Sequence, residues 1–322
     1  MANTQRNNPI DVENLQGSYT ALITPMYRGN GLNNPIDYPK LYKLIQDQVN
    51  AGITGFVVAG TTGQTATLLP GEHVDFVEQV FNHIQGNFSN LQFIVGAGSN
   101  STNEAINLSR EIESRIGPST FLHVTGYYNN PPQEGIIAHF EKLSESLPCS
   151  NVILYNVPSR TGSKIEPDTV VHLANNTKNI IGIKEASGNM DAVKRIIQHT
   201  NSSRFRILSG EDDLVAKIME IGGMGVISAS ANIAPKYFVG ITKEALAGDF
   251  ETAHRLQNEI NPLVKEGVFY RKNPIPLAHM FDTELRLPLV KLPCIEPQIQ
   301  HVLLQYTSEQ LGINLGRYNK GI

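Results

Sequence analysis

The chain carries only two cysteines and no tryptophan. Cys149 and Cys294 stand in unrelated contexts and outside any Cys-x-x-Cys pair, so neither a zinc-ribbon nor a redox motif is supported. A chain of 322 residues has no need of one disulfide, and the cytoplasm is the default compartment. Basic excess is also lacking. Lys and Arg number 26 against 30 Asp and Glu, a formal charge of −4, which argues against a nucleic-acid partner. The apolar runs are strand-length, well short of the ~18 residues that span a bilayer, so no membrane partner is expected. The first sixteen residues, MANTQRNNPIDVENLQ, have no apolar h-region and no small-residue cleavage pattern. They read as a polar N-terminal arm (1–16) and not as a signal peptide. No Gly-x-Gly-x-x-Gly opens a helix after the first strand, which weakens a dinucleotide-binding reading.

What is present is a large supply of core material. Hydrophobic residues make up 40% and charged residues 17%, a balance that excludes disorder. Eight short β-rich runs recur: 19–26, 55–60, 92–98, 120–128, 151–157, 179–186, 205–211 and 223–231. Most are continuous apolar stretches, as expected of parallel strands covered on both faces. Segments of helical period lie between them, over 37–51, 71–85, 102–116, 133–147, 167–174, 189–199 and 212–221. Eight βα units within about 235 residues predict a closed (β/α)8 TIM barrel over 17–247. Beyond it the strand signal stops. Helical runs over 237–247, 250–269 and 299–311 predict an all-helical C-terminal region, 248–322.

Barrel enzymes place function at the C-terminal ends of strands, so polar residues there carry the argument. Lys184 follows the apolar run of the sixth strand. A lysine so placed is costly to keep charged, and a neutral amine attacks carbonyls. It is either a Schiff-base nucleophile or a structural lysine paired with Glu185. Tyr155 ends the fifth strand, as a proton shuttle beside a reacting amine or as a core aromatic. Arg160, five residues on, could grip a carboxylate bidentately or form a surface salt bridge. Gly60 and Gly63 flank Thr61 and Thr62 in a turn whose backbone could approach a carboxylate; no Gly-Lys-Ser/Thr follows, so it is not a phosphate loop. Tyr127 and Tyr128, before two prolines, suit an interface plug or a catalytic donor.

Taken together and in order, GTTG at 60–63, YYN at 127–129, YNVPSRTG at 155–162, GIKEASG at 182–188, LSGED at 208–212, GVISASAN at 225–232 and NPIP at 273–276 resemble the dihydrodipicolinate synthase family. That family sits in the class I, pyruvate-dependent aldolase superfamily. The resemblance runs from about Gly17 to beyond Leu292. It implies a lyase of lysine and diaminopimelate biosynthesis, with pyruvate and L-aspartate-4-semialdehyde as substrates. Lys184 would form the Schiff base, Tyr155 would move protons, and Thr61 would relay them between Tyr155 and Tyr128. Tyr128 would be delivered into a neighbouring subunit's site. Thr62 and Thr61 would hold the pyruvate carboxylate, Arg160 the carboxylate of the semialdehyde, and Gly210 and Ile227 would line the pocket. The iminium supplies the electrophilic activation, so no metal and no cofactor are called for. A homo-oligomer, commonly a tetramer built as a dimer of dimers, is implied. N-acetylneuraminate lyase shares the lysine and tyrosine, but YNVPSRTG is closer to the synthase pattern. A binding protein with a dead site should have lost Lys184, Tyr155 or Arg160, and all three are kept.

Bacterial members of the family often bind L-lysine as an inhibitor at a dimer interface. The matching positions are Thr65, Ala66, His73, Asn100, Glu104 and Tyr127. Asn100 and Glu104 would meet the ligand's cationic groups, or else merely cap and charge a helix start. Three departures stand out. Gln64 replaces the usual glutamate of the GTTG loop, Pro70 stands where lysine-sensitive members often carry histidine, and Gly126 replaces the usual proline before YYN. The last is expected to loosen the loop that carries Tyr128.

Overall fold

The computed structural model describes residues 6–318. Eight parallel strands close on one another in sequence order: β1 (Gly17–Ala21), β2 (Gly55–Val58), β3 (Gln92–Gly96), β4 (Thr120–Val124), β5 (Asn151–Asn156), β6 (Ile180–Glu185), β7 (Arg206–Ser209) and β8 (Gly225–Ser228). Gly17 to Thr20 of β1 pair with Gly225 to Ser228 of β8, which seals the barrel. Around it run α1 (Tyr38–Asn50), α2 (Pro70–Asn87), α3 (Thr102–Ile116), α4 (Gln133–Ser146), a single turn α5 (Pro158–Thr161), α6 (Pro167–Asn176), α7 (Met190–His199) and α8 (Val215–Glu220). Caps fix several of these helix starts. The Asp37 carboxylate accepts the Lys40 N–H, the Ser101 hydroxyl the Glu104 N–H, and Asn189 the N–H groups of Asp191 and Ala192.

Two apolar layers hold the barrel. The outer one joins strand residues such as Phe56, Phe93 and Phe121 to helix residues such as Phe76, Phe81 and Phe140. The inner one fills the barrel with Tyr19, Val57, Ile94, Leu122, Ile153, Ile181, Leu208 and Ile227. Ile10 and Leu15 belong to that inner layer. The N-terminal segment, read from sequence as a polar arm, therefore forms the barrel floor from residue 7 onward. Its backbone is tied to the strand entrances. Ile10 N–H donates to the Thr120 hydroxyl at 2.8 Å, and Ile10 C=O accepts from the Asn151 amide at 2.9 Å. Ile10, Val12 and Leu15, scattered among polar neighbours, were too few to signal burial.

The strands are shorter at their C-terminal ends than the apolar runs predict. β4 stops at Val124 and not at Tyr128, and β8 at Ser228 and not at Ala231. The residues beyond have left the ladder to build the rim. Past β8 come α9 (Pro235–Leu246), α10 (Phe250–Pro262), α11 (Ile275–Met280), α12 (Glu296–Leu303) and α13 (Ser308–Leu311). The run read as one helix over 250–269 changes at Pro262 into a wider π-type turn, Leu263–Val268. The run over 299–311 breaks after Leu303, and Thr307 caps a new turn in a box with Gln310. Among the described residues no helix is long and apolar enough to cross a membrane. Both cysteines are exposed and free.

Candidate active site

Strands β5 and β6 make the centre of the site. Their register slips by one residue between Val152↔Ile180 and Ile153↔Gly182, after which Tyr155 lies directly opposite Lys184. An extra residue in one strand turns the side chains beyond it, a device common beside active sites. Lys184 is 7% exposed. Its Nζ sits 4.4 Å from the centre of the Tyr155 ring, a cation–π distance. Gly210, at the end of β7, makes room for the lysine stem. A Cβ there would come within 2.6 Å of the Ala186 Cβ and 3.1 Å of the Lys184 Cε. Its N–H is held by the Glu185 carbonyl at 2.7 Å.

A cavity of about 260 Å³ opens over this pair, lined by Thr61, Thr62, Tyr155, Arg160, Lys184 and Gly210, with Ile227 and Ala229 from the far wall. Seven residues expected at the site from sequence thus share one cavity. The eighth, Tyr128, does not line it. Tyr128 is 95% exposed, with a left-handed backbone at φ 71°, and its N–H is tied to the Thr161 carbonyl at 3.3 Å. No hydrogen bond joins the Thr61 hydroxyl to either tyrosine among the described residues. The Gly126 carbonyl, in the loop carrying Tyr128, accepts the Ser163 hydroxyl.

Asn273 is the site residue that sequence reasoning quoted in a motif without giving it a role. Its amide donates to the Thr62 hydroxyl at 3.0 Å, and its carbonyl accepts from the Arg160 guanidinium at 3.1 Å. One buried residue from the turn before α11 therefore latches the two side chains expected to hold carboxylates. Its side-chain oxygen is buried with no partner. Glu211 is a second such residue, lying in the LSGED motif and lining the cavity. Burial, then the neighbouring Asp212 and Asp213, push its carboxyl up to about 7, with Lys184 pulling the other way.

The departure at Gln64 has a structural counterpart. Gln64 is buried, its carbonyl oxygen accepts the Arg286 N–H at 3.0 Å, and its amide faces the Met26 sulfur at 3.7 Å. The acid that meets the Arg286 guanidinium is Glu72, in a fork of 2.6 and 2.7 Å. The guanidinium in turn holds the Glu72 carboxyl below the usual range.

The six positions expected to bind a regulator lie outside the lining of that cavity, in the loops after β2, β3 and β4 and the first turns of α2 and α3. Thr65 Oγ1 lies 3.4 Å from His73 Nδ1, and the Asn100 amide donates to the Tyr127 carbonyl at 3.4 Å. The Ser99 hydroxyl donates to the Glu104 carboxylate at 2.5 Å. Ala66 is exposed in the 3-10 turn that follows Gln64. Burial lowers His73 to about 4, so its ring is neutral near pH 7. Pro70 is the first residue of α2. No group of three or more metal-ligating side chains is found among the described residues.

Comparison with known proteins bears on this site. A profile of the Dihydrodipicolinate synthetase family matches residues 14–298. A 4-hydroxy-tetrahydrodipicolinate synthase of Methanopyrus kandleri is 42% identical over 82% of this chain and 84% of its own. Among solved structures, the chloride-inhibited dihydrodipicolinate synthase of Acinetobacter baumannii complexed with pyruvate superposes with a TM-score of 0.83. It is 35% identical, over 90% of this chain and 98% of its own. The Cyanidioschyzon merolae enzyme with lysine bound gives a TM-score of 0.83 at 31% identity, over 91% of this chain and 98% of its own.

Proposed function

The chain belongs to the dihydrodipicolinate synthetase family, and from that premise we propose that Lys184 is the nucleophile of its reaction, the condensation of pyruvate with L-aspartate-4-semialdehyde to 4-hydroxy-tetrahydrodipicolinate. The enzyme is a lyase of the class I aldolase type. Lys184 attacks the pyruvate ketone, and water leaves as the iminium forms. The iminium draws electrons from the methyl group, a proton comes off, and the enamine carbon attacks the aldehyde. The substrate amine then closes onto the imine carbon and releases Lys184.

The observation that carries the assignment is the buried Lys184 amine facing the Tyr155 ring inside a cavity that also holds Thr62 and Arg160. Tyr155 is in reach to give and take protons at the imine. Thr61 and Thr62 present hydroxyls to the pyruvate carboxylate, and Arg160 offers a guanidinium to the carboxylate of the semialdehyde. Gly210 and Ile227 shape the walls. The exposure of Tyr128 supports its entering the site of a second copy, which requires at least a dimer and fits a tetramer built as a dimer of dimers. The cytoplasm is the compartment that suits two free thiols.

Intact mass after borohydride reduction with pyruvate tests this reading. Wild type should gain one reduced pyruvate and Lys184→Ala none, and added aspartate semialdehyde should deplete the adduct. An unchanged wild-type mass overturns the mechanism.

L-lysine is the second ligand we propose, at Thr65, Ala66, His73, Asn100, Glu104 and Tyr127. The contacts that join Thr65 to His73 and Asn100 to Tyr127 favour it. So does the lysine-bound relative. Calorimetry at millimolar L-lysine that shows neither heat nor a fall in rate rules it out.

A further inference from the structure

Glu211 is the one acidic side chain lining the catalytic cavity; the charged residues around it are Lys184, Arg160, Arg271 and Lys272. Its backbone is clamped by a single hydroxyl. Ser209 Oγ donates to the Glu211 carbonyl at 2.8 Å and accepts the Glu211 N–H at 3.2 Å. Its carboxylate, by contrast, makes no hydrogen bond or ion pair among the described residues. A half-buried carboxylate on a clamped backbone, left without a partner in a cavity whose other charged side chains are all cationic, is a site for a ligand cation.

The substrates supply one. Pyruvate brings a carboxylate, and the semialdehyde brings a carboxylate and an ammonium on the same carbon. Thr61, Thr62 and Arg160 account for the two carboxylates, and only Glu211 is complementary to the ammonium. We propose that Glu211 binds the α-ammonium of the aldehyde substrate and takes one proton from it, so that the freed amine can close the ring. This rests on the reading of the cavity as the place where pyruvate and the semialdehyde are joined.

The step balances as follows. A proton passes from the ammonium to the Glu211 carboxylate. The nitrogen lone pair forms a bond to the imine carbon, and the C=N pair withdraws to the Lys184 nitrogen. That nitrogen takes the proton back from Glu211 as its bond to carbon breaks. The ring nitrogen's electrons close the new C=N bond, and its two remaining protons leave to water. Glu211 ends as it began. A carboxyl raised to about 7 is a much better acceptor for an ammonium proton than an ordinary carboxylate at about 4. Burial does most to set this value; Asp212, Asp213 and Glu185 raise it further, and Lys184 lowers it. Asp213 is itself paired with Lys265 at 3.2 Å.

The test compares wild type with Glu211→Gln, using L-aspartate-4-semialdehyde and 4-oxobutanoate, the same aldehyde without the ammonium. Borohydride trapping with pyruvate alone should be equal in the two proteins. Trapping in neither would sink the Schiff-base reading and this proposal with it. With the natural aldehyde, the variant's KM should rise about 10- to 100-fold while KM for pyruvate stays put. The acid limb of kcat/KM near pH 7 should vanish in the variant. With 4-oxobutanoate the two proteins should consume aldehyde at the same rate. Equal losses on both aldehydes, or an unchanged KM with the acid limb intact, overturn the proposal.

Discussion

The barrel mouth and the wall between β4 and helices α3 and α4 both bury ionisable groups, and only one of them is a site. In the wall, His123 of β4 faces the Ser109 hydroxyl of α3 at 3.3 Å, while His139 of α4 meets the Thr102 hydroxyl at 2.8 Å. Burial pushes His123 down to about 3 and His139 to about 4. Each ring keeps one buried nitrogen without a partner. In the mouth, burial raises Glu185, Glu211 and Asp212. The physics is the same in both places, since low polarity disfavours the charged form. The difference is company. The mouth combines opposite charges, an open cavity and a buried amine; the wall has two neutral rings set against hydroxyls. A perturbed titration is a pointer to function only when it comes with such a setting.

The sharpest way to break that comparison is at the amine. Lys184→Ala should lower turnover at least about 1000-fold while the protein stays folded, read by steady-state rate and circular dichroism. Next comes Gly210→Ala. Its new Cβ would crowd the Lys184 stem and the Ala186 methyl, and a displacement near 1 Å costs on the order of 100-fold. Slower pyruvate trapping per folded molecule is the expected signature, with a melting point lowered by the crowding. Asn273→Ala should cost about tenfold in kcat/KM, because Thr62 loses the amide that holds its hydroxyl, while the backbone carbonyl that Arg160 meets is kept.

The wall should behave in the opposite way. His123→Leu should leave turnover per folded molecule unchanged and alter only the pH dependence of stability. The folded histidine stays neutral where the unfolded one, near 6.5, takes up a proton. Wild-type stability is therefore lost as pH falls from about 6.5 toward 3. By pH 5 the leucine variant should be spared about 2 kcal/mol of that loss, read by denaturant melts at pH 7 and 5. The mouth carboxylate Glu211 works with the other sign, its folded form gaining a proton near 7, so the variant must be compared with wild type at each pH.

The barrel was legible because buried parallel strands announce themselves as apolar runs, and Lys184, Tyr155 and Arg160 because each is a polar residue just after one. Strand ends were less legible. Residues 125–128 continue an aromatic and apolar run, yet they belong to the rim, where loop geometry outweighs strand propensity. The floor escaped notice because Ile10 and Leu15 stand among polar neighbours, and their burial depends on strand entrances more than a hundred residues away. Asn273 escaped for the same reason. A lone asparagine in a proline-bearing turn says nothing of the threonine it will meet.

That meeting also sets a schedule. Asn273 lies 211 positions after Thr62, so a ribosome adding about 5–20 residues per second makes the threonine roughly ten to forty seconds before its anchor. Every strand, and the lysine with them, has been made by then. A nascent chain thus holds Lys184 well before it holds the residue that ties Thr62 to Arg160. Competence arrives near the end of translation, and a chain truncated before residue 273 would be left with a barrel and an unanchored site.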